Sequence, residues 1–165
     1  MVIITAIVAL LPAQDAQGDA AAAGLETPAG FRREVDLRTS LAELDAAVDD
    51  MDRLEALAGR VLIVDGIASS ITVFSETEED YYVEMEIVGG RWDGVESVMM
   101  YKAYIVLDDP AFIGRLAERA PRDPDPSLIL RNDRVLIAGR LVNLVEDPEG
   151  RPVPVLHCYD IRPIR

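Results

Sequence analysis

The spacing of apolar residues divides the chain at Arg60. Before it, Leu41, Leu44, Val48, Met51, Leu54 and Leu57 recur at intervals of three or four, the stripe of an amphipathic helix. Asp45, Asp49, Asp50, Asp52 and Glu55 fall largely on other faces. Ser40 followed by Glu43 is a capping box that starts this helix, and Gly59 stops it as a C-terminal cap would. The pattern predicts one helix over 39–58. Because it lasts under three heptads, the helix is expected to pack on the domain that follows and not on a coiled-coil partner.

From Arg60 onward the period becomes strand-like. RVLIVDGIASSITVF is rich in β-branched residues and carries Gly66 in its interior, where a bulge or bend is expected. YYVEMEIV alternates Tyr81, Val83, Met85 and Ile87 against Tyr82, Glu84 and Glu86, a strand wet on one side. After the turn GGRWDG, Met99, Tyr101, Ala103, Ile105 and Leu107 share one face of a third strand, with Lys102 and Tyr104 opposite. Asp109 and Pro110 read as N-cap and first position of a short helix burying Phe112, Ile113 and Leu116, and the prolines of PRDPDPS end it. DRVLIAGRLVNLV and VPVLHCYDI, parted by a turn at DPEGRP, supply the fourth and fifth strands.

Helix, three strands, helix, two strands is the order of an OB-fold. The expected fold class is therefore mostly β: a five-stranded OB-fold Greek-key barrel over 59–165, with one N-terminal amphipathic helix and a short helix between strands three and four. Gly66 and Gly139 are expected where a strand coils so sharply that a Cβ would crowd neighbouring backbone.

Upstream, MVIITAIVALLPA is too short to cross a bilayer as a helix but has the length of a signal h-region, and small residues follow it in AQDAQGDAAAAG. No positively charged n-region precedes it. Residues 1–19 are read as a signal-peptide-like segment and 20–38, rich in Ala and Gly, as a linker. The expectation is a periplasmic or secreted protein with no stable membrane span after processing.

Charge shifts the functional reading. With Asp+Glu 30 against Lys+Arg 16, a formal charge of -14, the chain repels polyanions. Nucleic acid is disfavoured as a partner on that ground. One cysteine, Cys158, excludes an internal disulfide and a cysteine-only metal cluster, and its apolar neighbours mark it as a small buried hydrophobe. His157, the only histidine, lies mid-strand with Cys158 pointing to the opposite face, so no nucleophile and base come together. No phosphate loop, dinucleotide glycine pattern or zinc spacing occurs. The acidic clusters SETEED, LDDP and DPEG match no EF-hand loop and read as turn chemistry. No cofactor, metal or enzymatic activity is expected.

LAGRVLIVDGIASSI at 57–71, DRVLIAGRLVNL at 133–144 and VLHCYDI at 155–161 resemble the glycine-bearing first, fourth and fifth strands of bacterial OB-fold proteins of the tRNA-anticodon-binding-like group. The resemblance spans about residues 57–165 and implies ligand, nucleic-acid or protein binding on the face around strands two and three. In this chain that face offers Tyr82, Glu84, Glu86, Lys102 and Tyr104, joined by the turn that contains Trp92. A single tryptophan in a hairpin is more often packed over a barrel mouth than free to bind.

These residues make an exported, non-enzymatic module for a protein or small ligand the leading expectation. The alternative is a single-stranded nucleic-acid binder, for which Arg60, Arg131, Arg134 and Arg140 are the cations available, with pairing to the abundant carboxylates as their competing role. The sequence leaves ligand identity and oligomeric state open.

Overall fold

In a computed structural model of the chain, residues 28–164 are described, apart from Glu96 and Pro124. The signal-like segment 1–19 and the first part of the expected linker lie outside the described residues. The first elements are helix α1 (Pro28–Glu34), strand β1 (Val35–Asp36) and helices α2 (Leu41–Ala47) and α3 (Met51–Leu57). Strands β2 (Val61–Ser75), β3 (Tyr82–Asp93) and β4 (Ser97–Leu107) follow. A 3-10 turn (Pro110–Phe112) precedes strands β5 (Arg134–Glu146) and β6 (Pro152–Pro163).

Neighbouring strands run β1-β2-β3-β4-β6-β5, and β2 also pairs with β5, so strands β2 to β6 close into a five-stranded barrel with β1 as an added edge. The β4–β6 pair is parallel, with Tyr104 opposite Val155 and Val106 opposite His157; the other barrel pairs are antiparallel. This is the OB-fold expected from the order of elements. Closure removes the long free edges that would otherwise template aggregation.

Alternation decides what is inside. Val83, Met85 and Ile87 of β3 meet Ala103, Ile105 and Leu107 of β4 and Leu62, Val64, Ile137, Leu156 and Ile161 in one buried cluster. Cys158 joins it, and burial pushes its thiol up to about 12, which fits an inert hydrophobe. Tyr81 is buried in the same cluster, its hydroxyl donating to the Phe112 carbonyl at 3.2 Å. Gly139 sits at the register shift between β5 and β6, where a Cβ would fall 2.6 Å from the His157 carbonyl oxygen. At Gly66 a Cβ would meet Ile87 Cβ at 3.2 Å, while the bulge itself comes later, between Ala68 and Ser70.

The N-terminal helix differs from the single rod expected over 39–58. Its capping box forms as read, with Ser40 accepting from the Glu43 amide and the Ser40 amide donating to the Glu43 carboxylate. Asp50, however, takes an extended conformation and caps a new helix by accepting from the Arg53 amide, so the rod breaks into α2 and α3. A short polar side chain that bonds nearby amides favours a cap over a helix interior. Met51 consequently leaves the apolar stripe and stands exposed, whereas Asp45 is buried and pairs with Arg151.

The stretch expected as linker contains α1 and β1. Arg60 explains why β1 is held: its guanidinium donates to the carbonyls of Arg32, Arg33 and Val35 and pairs with Asp36 at 2.7 Å. Five donors in one planar fork satisfy backbone groups that a short parallel edge strand leaves open. The expected helix between the third and fourth barrel strands is the 3-10 turn, capped by Asp109 accepting from the Ala111 amide at 2.8 Å. Phe112 and Leu116 are buried there, and Ile113 is not.

Candidate nucleic-acid interface

Because side chains alternate along a strand, every barrel strand that buries one set of residues displays the other. On β3 the outward set is Tyr82, Glu84, Glu86 and Val88, and on β4 it is Lys102, Tyr104 and Val106. Register sets Glu84 opposite Val106, Glu86 opposite Tyr104 and Val88 opposite Lys102. Five of the six residues singled out in the sequence therefore share one patch. Trp92 belongs to the same hairpin, facing Val98 near its tip.

The hairpin is longer than the barrel needs. Beyond Gly89, whose Cα faces Leu41 of α2, it carries Arg91, Trp92, Val95, Val98, Met99 and Met100, all exposed, with Trp92 at 70% and Val95 at 93%. Trp92 is thus not packed over a barrel mouth. A two-stranded ribbon with exposed apolar side chains on both faces is the kind of patch that marks contact surfaces.

Three further rings, Phe74, His157 and Tyr159, lie on the outer surface and were not among the site residues read from the sequence. Phe74 of β2 is exposed and packs against Tyr82 with ring centroids 5.6 Å apart. Its outward direction follows the bulge between Ala68 and Ser70, which shifts the parity of β2 and is invisible to a simple alternation count. On β6, His157 meets Tyr159 edge to face at 5.3 Å, and the guanidinium of Arg140 lies 5.9 Å from the Tyr159 ring centre. His157 also bonds Asp108 at 2.7 Å. His157 stands opposite outward Val106 of β4 and opposite Arg140 of β5, so these rings continue the β3–β4 surface around the barrel.

Hydrogen bonds fix the polar groups among the rings. The Tyr82 hydroxyl donates to Glu84 Oε1 at 2.9 Å, and burial together with this carboxylate raises its pKa to about 12. The Ser69 hydroxyl donates to Glu86 Oε1. Burial and the Glu86 charge also push the Tyr104 hydroxyl up, so both phenols are neutral donors at physiological pH. Lys102 pairs with Asp147, and although burial works against its charge, the Asp147 carboxylate raises its pKa. Beside them a cavity of about 270 Å³ is lined by Glu86, Val88, Met100, Lys102, Asp147 and Arg151 among others.

The cations weighed in the sequence have mixed roles. Arg60 is spent on Asp36 and α1, and Arg134 pairs with Asp65 at 2.6 Å. Arg131 is exposed, and Arg140 lies over the Tyr159 ring. Arg91 on the hairpin forms no ion pair with another described residue. The acidic clusters serve turns: Asp147 Oδ1 accepts from the amides of Glu149 and Arg151.

No protein-family model and no curated protein matches the chain. Among solved structures it is similar to a small single-stranded DNA-binding protein from Streptomyces coelicolor, with 14% identity, TM-score 0.37, and coverage of 61% of this chain and 88% of that one. It is also similar to the mitochondrial single-stranded DNA-binding protein Rim1 from S. cerevisiae, with 18% identity, TM-score 0.40, and coverage of 64% and 94%. A third likeness is to a putative aspartyl-tRNA synthetase from Leishmania major Friedlin, with 10% identity, TM-score 0.43, and coverage of 76% of this chain but 20% of that one. The OB-fold itself is read from the chain's own strand order and closure.

Several of these neighbours are single-stranded DNA-binding proteins, which counts against the expectation of a module for a protein or small ligand with nucleic acid disfavoured. The net charge weighs against contacts to phosphate and not against stacking of bases on exposed rings, and only the first was considered in that expectation. Asp36, Asp45, Asp65, Asp147 and Asp160 each pair with a basic side chain within the fold, and Asp108 hydrogen-bonds His157.

Proposed function

We propose that this protein binds single-stranded nucleic acid on the outer face of β2, β3, β4 and β6, through its bases more than through its phosphates. The observation that carries the reading is the run of outward rings, Phe74, Tyr82, Tyr104, His157 and Tyr159, extended by exposed Trp92 on the hairpin. Each ring offers a π-face to an unstacked base, a contact worth roughly 1–3 kcal/mol per base and tolerant of sequence. Arg140 and Arg91 supply the positive charge near this surface that a backbone needs.

Tyr82, Glu84, Glu86, Trp92, Lys102 and Tyr104 form the core of the proposed site, with Phe74, Arg140, His157 and Tyr159 as additions. We further place the chain among bacterial OB-fold proteins of the tRNA-anticodon-binding-like group, on the strands at 57–71, 133–144 and 155–161. The test is fluorescence anisotropy with labelled single-stranded DNA and RNA at low salt. Saturable binding that weakens linearly with log salt, at a shallow slope of about one or two phosphates, supports the reading; absence of binding at low salt refutes it.

A further inference from the structure

Two carboxylates stand in the middle of the proposed face, and a phosphate-binding groove has no use for them. Glu84 and Glu86 are alternate residues of one strand, so their side chains project the same way about 6.8 Å apart. Neither swings freely. Glu84 Oε1 is held by the Tyr82 hydroxyl and Glu86 Oε1 by the Ser69 hydroxyl, while the second oxygen of each has no hydrogen-bond partner among the described residues. Tyr104 lies directly opposite Glu86, and the cavity of about 270 Å³ beside Glu86 has room for a flat heterocycle.

Resting on the reading that this face binds single strands, we propose that Glu84 and Glu86 are specificity-determining residues that select bases carrying amino groups. Carboxylates repel phosphate, so the strand's backbone keeps to the Arg91 and Arg140 margins and its bases point inward over the rings. An ionised carboxylate only accepts hydrogen bonds. Guanine presents N1–H and N2–H₂ side by side, a matched pair of donors for one carboxylate, and cytosine presents N4–H₂. Thymine and uracil present a single N3–H flanked by two carbonyl oxygens that the carboxylate repels. The expected order is guanine, then cytosine and adenine, then thymine or uracil.

Competition binding of the full chain to oligonucleotides of about 12 nucleotides, a length an OB-fold covers, tests this. The probes are an all-thymine strand and strands with two central positions changed to guanine, cytosine or inosine. The guanine strand should bind about tenfold tighter than all-thymine, the scale of one good bidentate contact. Inosine, which lacks the N2 amino group, should fall between. In an E84Q/E86Q variant, whose folding is checked by its melting temperature, the gap should close to within about threefold because glutamine both donates and accepts. Affinity for all-thymine should rise with two negative charges removed. Equal wild-type affinity for thymine and guanine strands, or a guanine preference that survives in the variant, overturns the inference and leaves the binding function standing. Failure of every probe to bind at low salt removes both.

Discussion

A Cβ at position 139 would fall 2.6 Å from the carbonyl oxygen of His157, nearer than side-chain carbons approach backbone. Gly139 thus lets β5 pass close to the β6 backbone at the shift in register between the two strands. Gly139→Ala should lower stability by about 1–3 kcal/mol, the usual cost of forcing an extra carbon into a packed site. Denaturant unfolding measures it. Gly94→Ala, at the hairpin tip with nothing within 4 Å of its Cβ, is strained only by its φ of 74° and should cost less.

Asp36 and Arg60 lead to a prediction in acid. Burial pushes the Asp36 carboxyl up, but the Thr39 and Arg38 amides and the Arg60 charge together outweigh it and hold its pKa below 3.8. A carboxylate with a depressed folded pKa adds stability that is fully present above its unfolded value and is lost as pH falls through the folded one. The melting temperature should therefore drop below about pH 4. Asp36→Asn should be less stable at neutral pH and show a shallower acid decline, with Glu43, Asp147 and Asp160, also lowered, contributing to the slope that remains.

Thiol chemistry offers a third check. Buried Cys158, with its thiol pushed up to about 12, should resist a thiol reagent in the native protein and react once denatured. Labelling followed by mass measurement distinguishes the two states.

At the proposed interface, Trp92→Ala and Tyr104→Ala should each weaken oligonucleotide binding by about 1–3 kcal/mol, the value of a base stacked on a ring. Their effects on stability should differ. Trp92 is 70% exposed and its loss should leave the melting temperature nearly unchanged, whereas half-buried Tyr104 should cost some stability as well. Anisotropy titrations paired with thermal melts read both.

What the sequence made legible was local chemistry repeated along an element. The Ser40 capping box, the alternation of Val83, Met85 and Ile87, and the need for a glycine at 139 all follow from neighbours or from a period. Contacts between distant segments were not legible. Asp45 looks solvent-facing until Arg151, 106 residues away, comes to meet it. Asp50 reads as one more helical acid until its side chain caps α3. In the site, register placed Glu84, Glu86, Lys102 and Tyr104 together as alternation required, but the bulge in β2 that turns Phe74 outward and the pairing that brings Arg140 to His157 carry no local signal.

Trp92 is the chain's only tryptophan and sits exposed on the hairpin, so its emission reports directly on the surface proposed to meet bases. Titrating the protein with a single-stranded oligonucleotide at low salt should quench that emission saturably, and raising the salt should partly reverse it. Emission unchanged through the titration, with no accompanying rise in the anisotropy of the oligonucleotide, would contradict the account.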